Sequence, residues 1–131
     1  MTTYYHCSPI EDLTPEISVE KSLCLTDDSD IASMYLRGDG DHYLYEVKIG
    51  YAEIATESDL HEICEAIGVK IGEGLEYEAT KKLVVREAIV GAGFDGVRYG
   101  DTHEGCNYTT VELFAKPESF KWSFDSIVDG E

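Results

Sequence analysis

The stretch that decides the fold is residues 77–115, YEATKKLVVREAIVGAGFDGVRYGDTHEGCNYTTVELFA, which combines one helix with two strands. Apolar residues recur at helical spacing through 77–90, and two glycines then end the helix. The segments 96–99 and 108–115 predict strands, and the polar segment 100–105 predicts a loop between them. A helix that leads into two neighbouring strands is typical of an α+β fold.

Outward from this stretch, the chain adds shorter elements of both kinds. Thr56 and Asp59 form a capping box, which predicts a helix ending near Ile67. Further strands are predicted at 2–7, 22–26, 42–49 and 120–124, and a short helix is predicted at 31–36 behind the acidic cap 27–30. The order ββαβααβββ predicts one α+β domain over residues 1–131, without the regular alternation of a doubly wound sheet.

The charge of the chain excludes several classes of partner. There are 27 acidic against 10 basic residues, for a net charge of -17. Such a chain is not expected to bind a nucleic-acid backbone or an anionic membrane over a broad face. It could avoid nucleic acid, approach a basic protein or imitate a polyanion. The N-terminal MTTYYHCSP has neither a basic segment nor an apolar core, so we expect no secretory signal and a cytoplasmic protein.

Two patterns that suggest ligand sites have simpler explanations. Gly91, Gly93 and Gly96 spell GxGxxG, but they follow a helix and precede a strand, the reverse of a dinucleotide-binding turn. The acidic clusters 27–30 and 39–41 lack the Gly and Glu that an EF-hand needs. We therefore expect the glycines to mark a helix end and a strand entry. We expect the acidic clusters to be a solvated helix cap and a solvated turn, with no metal site.

The cysteines and histidines show no catalytic pairing on their spacing alone. His6 and Cys7 are adjacent on a strand, so their side chains point to opposite faces and cannot act as a base and nucleophile. His42 and His61 are expected to be exposed. The four cysteines lie far apart and are expected to be reduced thiols: Cys7, Cys24, Cys64 and Cys106.

The loop between the two strands is a candidate site. Residues 99–105 carry two carboxylates, a histidine and a threonine between glycines, and a loop on a rigid scaffold can direct such groups into a cleft. An ordinary polar hairpin has the same composition, so composition leaves both interpretations open.

Three segments, in order, resemble the NAD-binding motifs of ADP-ribosyltransferases. The strand ending in HCSP, residues 6–9, resembles the first motif, a His followed closely by Gly, Thr or Ser. Residues 21–35, KSLCLTDDSDIASMY, are similar to the second motif. Residues 93–101, GFDGVRYGD, with the following strand 111–121 are similar to the third. Within the family, the likeness is to small phage-encoded members that inhibit CRISPR complexes.

The resemblance implies two small, mostly antiparallel β-sheets packed with short helices around an NAD cleft. It implies an NAD-dependent mono-ADP-ribosyltransferase that modifies a protein. A carboxylate near the ribose 2′-hydroxyl would stabilise the oxocarbenium-like transition state, and Asp101 aligns best with that role, with Glu104 in reserve. The implied NAD contacts are His6, Cys7, Ser8, Thr26, Tyr35, Arg98 and Tyr108.

The resemblance implies a role for every member of that set except Cys7, and it adds Lys21 as an alternative to Arg98. His6 would bind a ribose hydroxyl, and Ser8 or Thr26 would contact nicotinamide. Tyr35 or Tyr108 would stack on nicotinamide. Arg98 or Lys21 would neutralise the pyrophosphate.

The chain departs from the family at two positions. Thr110 stands where many members carry a strand glutamate, so the acid has to come from the loop. Leu25 stands where an NAD-stacking aromatic residue is often found, so Tyr5, Tyr35 or Tyr108 would have to replace it.

Two further hypotheses remain beside the transferase. The resemblance implies a target in a bacterial CRISPR surveillance complex, and the charge fits a basic, nucleic-acid-binding subunit. A non-enzymatic acidic protein that imitates DNA would block the same kind of basic groove. An NAD glycohydrolase would share the transferase site.

Overall fold

The computed structural model describes residues 2–8, 15–34, 40–49, 53–72, 75–103, 105–117 and 120–130. Within these ranges the chain forms seven strands and four helices. The strands are β1 (Thr2–Ser8), β2 (Leu23–Thr26), β3 (Gly40–Ile49), β4 (Ile54–Ala55), β5 (Gly96–His103), β6 (Cys106–Leu113) and β7 (Phe120–Gly130). The helices are α1 (Ser29–Met34), α2 (Glu57–Ala66), α3 (Glu76–Thr80) and α4 (Leu83–Gly91). The predicted α+β class is confirmed.

The strands form a single sheet in the order β4-β5-β6-β2-β1-β3-β7. All neighbours are antiparallel except the β4–β5 pair, which is parallel. The prediction of two small sheets is therefore wrong for the described strands. The reason is β2, which pairs with β6 on one side and with β1 on the other and so joins the two halves.

Each face of the sheet carries a hydrophobic core. On the first, the helix face, Leu60 of α2 and Ile89 of α4 pack with Val97 of β5. On the second, the inner face, Leu25 and Val111 are fully buried in another cluster. Ile54 from one edge strand and Trp122 from the other both pack against that second cluster. Side chains from both edges reach one core because the sheet curls around its inner face.

Helix ends and entries follow the local sequence rules. Thr56 Oγ1 accepts a hydrogen bond from the Asp59 backbone N–H at 3.2 Å, and the Asp59 carboxylate accepts one from the Thr56 backbone N–H at 3.0 Å. The predicted capping box is thus confirmed. Gly91 is the last residue of α4, Gly93 has a φ of 97°, and Gly96 begins β5. The GxGxxG pattern is a helix end followed by a strand entry, as expected.

The predicted helix 77–90 is wrong in one respect, because it is two helices. Lys82 between them is extended, with φ -80° and ψ 125°. The Thr80 carbonyl, which a continuous helix would use internally, accepts instead from Arg86 Nε at 2.5 Å. A tertiary contact therefore replaces the helical bond at the break.

Other features also differ from the sequence prediction. The predicted loop 100–105 is wrong over its first four residues, because β5 stays paired with β6 as far as His103 and the turn lies at Gly105. β7 continues beyond the predicted 124 to Gly130, and β4 was not predicted. The expected exposure of His42 is wrong: it is 1% exposed, because the extension of β7 places Val128 beside it.

Candidate functional site

A cleft of about 330 Å³ lies between the start of α2 and β5. It exists because β4 has only two residues before the chain turns into α2, so beyond Val97 no described strand pairs with the outer side of β5, the side away from β6. Crevices at the carboxyl ends of parallel strands are common ligand sites. Its lining residues are Thr56, Glu57, Ser58, Arg98, Tyr99, Gly100 and Thr109.

The chemistry of this cleft suits a ligand with phosphate and hydroxyl groups. Arg98 is exposed and supplies a positive charge. The start of α2 contributes the positive end of the helix dipole, which favours anions, although the Asp59 N–H already donates to Thr56 and the first turn carries Glu57 and Asp59. Glu57 is anchored, since its Oε1 accepts from the Gly100 backbone N–H at 2.6 Å. The cleft therefore pairs one cation and a helix start with a fixed carboxylate.

The predicted catalytic acid lies next to this cleft along the chain. Asp101 follows Gly100 on β5, and its backbone is in register with Tyr108 on β6. The alternative acid Glu104 and the predicted stacking residue Tyr35 lie outside the described residues. The backbone of Asp101 thus lies on β5 one residue beyond the cleft lining, three residues after Arg98, which is a strand position of the opposite face.

His6 lies on the other side of the sheet centre, among aromatic residues. Its Nδ1 is 2.9 Å from the Cys24 carbonyl oxygen, and its ring centroid is 5.9 Å from that of Trp122. A carbonyl only accepts, so Nδ1 carries the proton and Nε2 is the acceptor of a neutral ring. Burial lowers the pKa of His6 below its ordinary 6.5, more than the bond to Cys24 raises it. His6 is therefore neutral at pH 7.

The predicted NAD contacts do not form one site. Strand alternation and register place His6, Ser8 and Arg98 on the inner face. The same reasoning places the other three described contacts on the helix face: Cys7, Thr26 and Tyr108. In the middle of the sheet a single ligand cannot contact both faces. Both faces are within reach only at the outer edge of β5, where Arg98, Tyr99 and Gly100 line the cleft together.

Even within the inner-face group, Arg98 and His6 are separated. They lie in one row across the sheet, with Val111 of β6 and Leu25 of β2 between them. Val111 and Leu25 are both fully buried. The space between the two polar residues is filled by core packing, so the structure does not bring them together.

On the helix face, the surroundings of two predicted NAD contacts, Thr26 and Cys7, make them unsuited to binding or attack. Thr26 Oγ1 donates to the Asp28 carbonyl at 3.0 Å and the residue is buried. Burial raises the pKa of Cys7 above that of an ordinary thiol, which makes it a poor nucleophile. Cys7, Cys24 and Cys64 are free thiols.

The most unusual polar residue was missed by the sequence prediction. Glu112 on β6 is 2% exposed, and its Oε1 accepts from Thr80 Oγ1 at 2.5 Å and from Tyr99 OH at 2.6 Å. Arg86 Nη2 lies 3.8 Å from its Oε2. The available signal was an acid within the apolar run 111–114, VELF, where alternation alone cannot say which face it occupies.

This buried carboxylate changes the chemistry of its neighbours. Burial, and then the charge and hydrogen bond of Glu112, raises the pKa of Tyr99 far above the ordinary phenol value. Tyr99 is therefore a permanent donor. The side chain of Cys24 reaches solvent, but protein crowded around its thiol raises its pKa to about 12, and Glu112 adds to the effect. Because the raised pKa values keep Tyr99 and Cys24 protonated, this cluster stabilises the fold and supplies no nucleophile.

Comparison with known proteins gives no further guide: no family model, curated protein or solved structure matches the chain. Within the described ranges, no helix is both long and apolar enough to cross a bilayer. The same residues contain no group of three or more histidine, cysteine or acidic side chains placed to hold a metal ion. The features of the chain that bear on its function are therefore the cleft, the charge and the sequence motifs.

Proposed function

We propose that the chain is an NAD-dependent mono-ADP-ribosyltransferase that modifies a protein target, with NAD bound at the Arg98 cleft. The observation that carries the proposal is the cleft itself. It combines the exposed guanidinium of Arg98 with the start of α2, on the strand that continues into Asp101. Support also comes from the order of the three motif-like segments along the chain.

The proposed role of each part of the cleft follows from its chemistry. Arg98 and the N–H groups of α2 would bind the pyrophosphate. Hydroxyls of Ser58 and Thr109, which line the same cleft, would contact ribose. Glu57, held by Gly100, would fix the path of β5 so that Asp101 stays at the reacting end.

The reaction itself needs one carboxylate and no redox partner. The bond between nicotinamide and ribose C1′ breaks, nicotinamide leaves with the bonding electrons, and a nucleophilic side chain of the target bonds to C1′ and loses its proton. Asp101 would stabilise the positive charge that develops on the ribose, which is worth several kcal/mol in a water-poor site. The buried residues of the helix face, including Cys7 and Thr26, have no part in this proposal.

As the target we propose a basic, nucleic-acid-binding subunit of a bacterial CRISPR surveillance complex. The resemblance to phage-encoded inhibitors suggests the complex, and the net charge of -17 suits a basic surface. In this setting the enzyme acts in the bacterial cytoplasm as an anti-CRISPR protein.

The test uses the full chain, radiolabelled NAD and a purified type I-F surveillance complex. We expect label on one protein subunit, and a loss of at least about 100-fold in rate for Asp101→Asn and for Arg98→Gln. Lys70→Gln is the matched control, because Lys70 is exposed and does not line the cleft. Absence of NAD binding by the wild-type chain, or full transfer by Asp101→Asn, would overturn the proposal.

A second candidate, a non-enzymatic acidic inhibitor, is favoured by the surface charge. Carboxylates are exposed along α2 at Glu57, Glu62 and Glu65. Two of the lysines, Lys21 and Lys81, are already paired with acidic neighbours on the surface. Such a surface would imitate DNA in a basic groove.

The two candidates predict opposite dependences on NAD and stoichiometry. An acidic mimic would inhibit without NAD, at one copy per target, and its inhibition would weaken steeply as salt is raised. The inhibition by a mimic would also persist in the Asp101→Ala and Glu104→Ala variants. An enzyme would act below one copy per target and would need NAD.

A further inference from the structure

β7 is the outermost strand described on its side of the sheet. It has eleven residues and pairs with β3 through one edge only. An outer strand presents unpaired N–H and C=O groups, which proteins usually protect with charges, prolines or bulges. β7 carries three charges, Lys121, Asp125 and Asp129, and one bulge: Tyr45 pairs with Phe124 and Leu44 with Ser126, so Asp125 is the extra residue.

The bulge leaves a regular segment before it, residues 120–124. This segment, FKWSF, contains one charge and no proline. Phe120, Trp122 and Phe124 alternate along it and occupy one face, where Trp122 stacks on Tyr45 with centroids 4.6 Å apart. Phe124 is 56% exposed at the end of this aromatic row.

We infer that this edge is an interface between two copies of the chain, paired antiparallel through residues 120–124 with Trp122 at the twofold axis. In that register Phe120 lies opposite the partner's Phe124, and Trp122 lies opposite the partner's Trp122. Six aromatic side chains then form one continuous row across the two sheets. Aromatic cross-strand pairs are among the stabilising contacts in sheets, and aromatic residues dominate interface energetics.

The second copy is the occupant because the segment is complementary to itself in charge as well as shape. Lys121 falls opposite the partner's Ser123, and the partner's Asp125 lies two positions further along. Opposite charges thus lie diagonally across the strand pair at both ends of the segment. The segment 120–124 carries one positive charge and no acid, which makes it less acidic than the chain as a whole, although Lys48, opposite Lys121 on β3, is paired with Glu46 at 3.4 Å. Two copies with a charge of -17 can therefore approach here more easily than elsewhere.

The test is sedimentation equilibrium of the full chain at concentrations up to about 200 µM. The variant is Phe124→Asp, and the control is Ile127→Asp, because Ile127 is 58% exposed on the same strand beyond the bulge. We expect a wild-type dimer, a dimer dissociation constant raised about 30-fold or more by Phe124→Asp, and a change of less than about 3-fold in the control. Higher salt should strengthen the dimer, because it screens the repulsion between two acidic chains.

Three results would overturn the inference. They are a wild-type chain that is monomeric throughout, a Phe124→Asp variant as dimeric as wild type, and a control that dissociates as strongly as the variant. Both substituted positions are exposed, and the melting temperature of each variant shows that it is folded. None of these measurements uses NAD or a target, so the outcome is independent of the proposed transferase activity.

Discussion

Replacing Glu112 with alanine should be the most damaging acid-to-alanine change among the carboxylates of the described chain. The carboxylate is buried, accepts two hydroxyl hydrogen bonds and faces the Arg86 guanidinium. Its removal leaves a partly buried cation without its counter-charge and a buried phenol without its acceptor. Removal of one partner from such a group costs about 3–5 kcal/mol.

The hydrogen-bond geometry shows how that cost divides. Thr80 Oγ1 also lies 2.8 Å from the Tyr77 carbonyl, so its proton retains an acceptor when Glu112 is removed. Arg86 likewise keeps its bonds to the carbonyls of Thr80 and Val19. The group with no replacement in these contacts is Tyr99 OH. Tyr99→Phe alone should cost about 1.5–3 kcal/mol, the value for a hydrogen bond to a charged group.

The assay is urea unfolding of the two single variants and the double variant. Tyr99→Phe should cost clearly less in the Glu112→Ala background than in wild type, with a coupling of about 1–2 kcal/mol. Glu62→Ala is the control, because Glu62 is exposed on α2 and its removal should change stability by less than about 0.5 kcal/mol. A loss below about 1 kcal/mol for Glu112→Ala, or additive effects in the double variant, would refute this account of the cluster.

Three further changes test the fold. Thr56→Ala removes the capping-box acceptor and should lower the unfolding free energy by about 1 kcal/mol in urea. Gly96→Ala places a Cβ against the backbone of β6 and should cost at least about 2 kcal/mol, whereas Gly91→Ala, with open space around it, should not destabilise. His6→Gln should remove a pH dependence: the folded pKa of His6 is lowered, so the unfolded chain binds the proton first and wild-type stability falls as pH drops below about 6.5.

Each of these three has a result that contradicts it. An intact melting temperature for Gly96→Ala would mean that β5 and β6 separate easily there. Equal stability of Thr56→Ala and wild type would mean that solvent replaces the cap. For His6, the unfolding free energies of wild type and His6→Gln are compared from pH 8 to pH 5. The difference between the two proteins is used because protonation of the many carboxylates affects both alike. A constant difference would contradict the lowered pKa.

Local rules predicted the elements whose causes lie within a few residues. The capping box of α2 and the glycines between α4 and β5 depend on neighbouring backbone groups, which the sequence displays directly. The break at Lys82 could not be predicted, because 77–90 has continuous helical spacing. At the break the Thr80 carbonyl accepts from Arg86, and the same side chain contacts Val19 and Glu112, which are distant in sequence.

The site was less predictable because it depends on strand order. Alternation within β1 was sufficient to place His6 and Cys7 on opposite faces. Whether Arg98 shares a face with His6 depends on the chain of pairings through β6 and β2, which no local pattern encodes. The cleft exists because β4 stops after Ala55, and a two-residue strand has too few residues to show a period.

The charge of the chain makes Arg98 decisive for choosing between the two proposed functions. A field from -17 charges repels NAD, so binding needs a local cation that outweighs it at close range. Arg98 is the guanidinium in the described cleft, and Arg86 is already committed to Glu112 and to backbone carbonyls. Arg98→Gln should therefore abolish NAD binding if the transferase proposal holds. The same change makes the chain more acidic, so an acidic mimic would bind its basic target at least as tightly. One substitution thus shifts the two candidates in opposite directions.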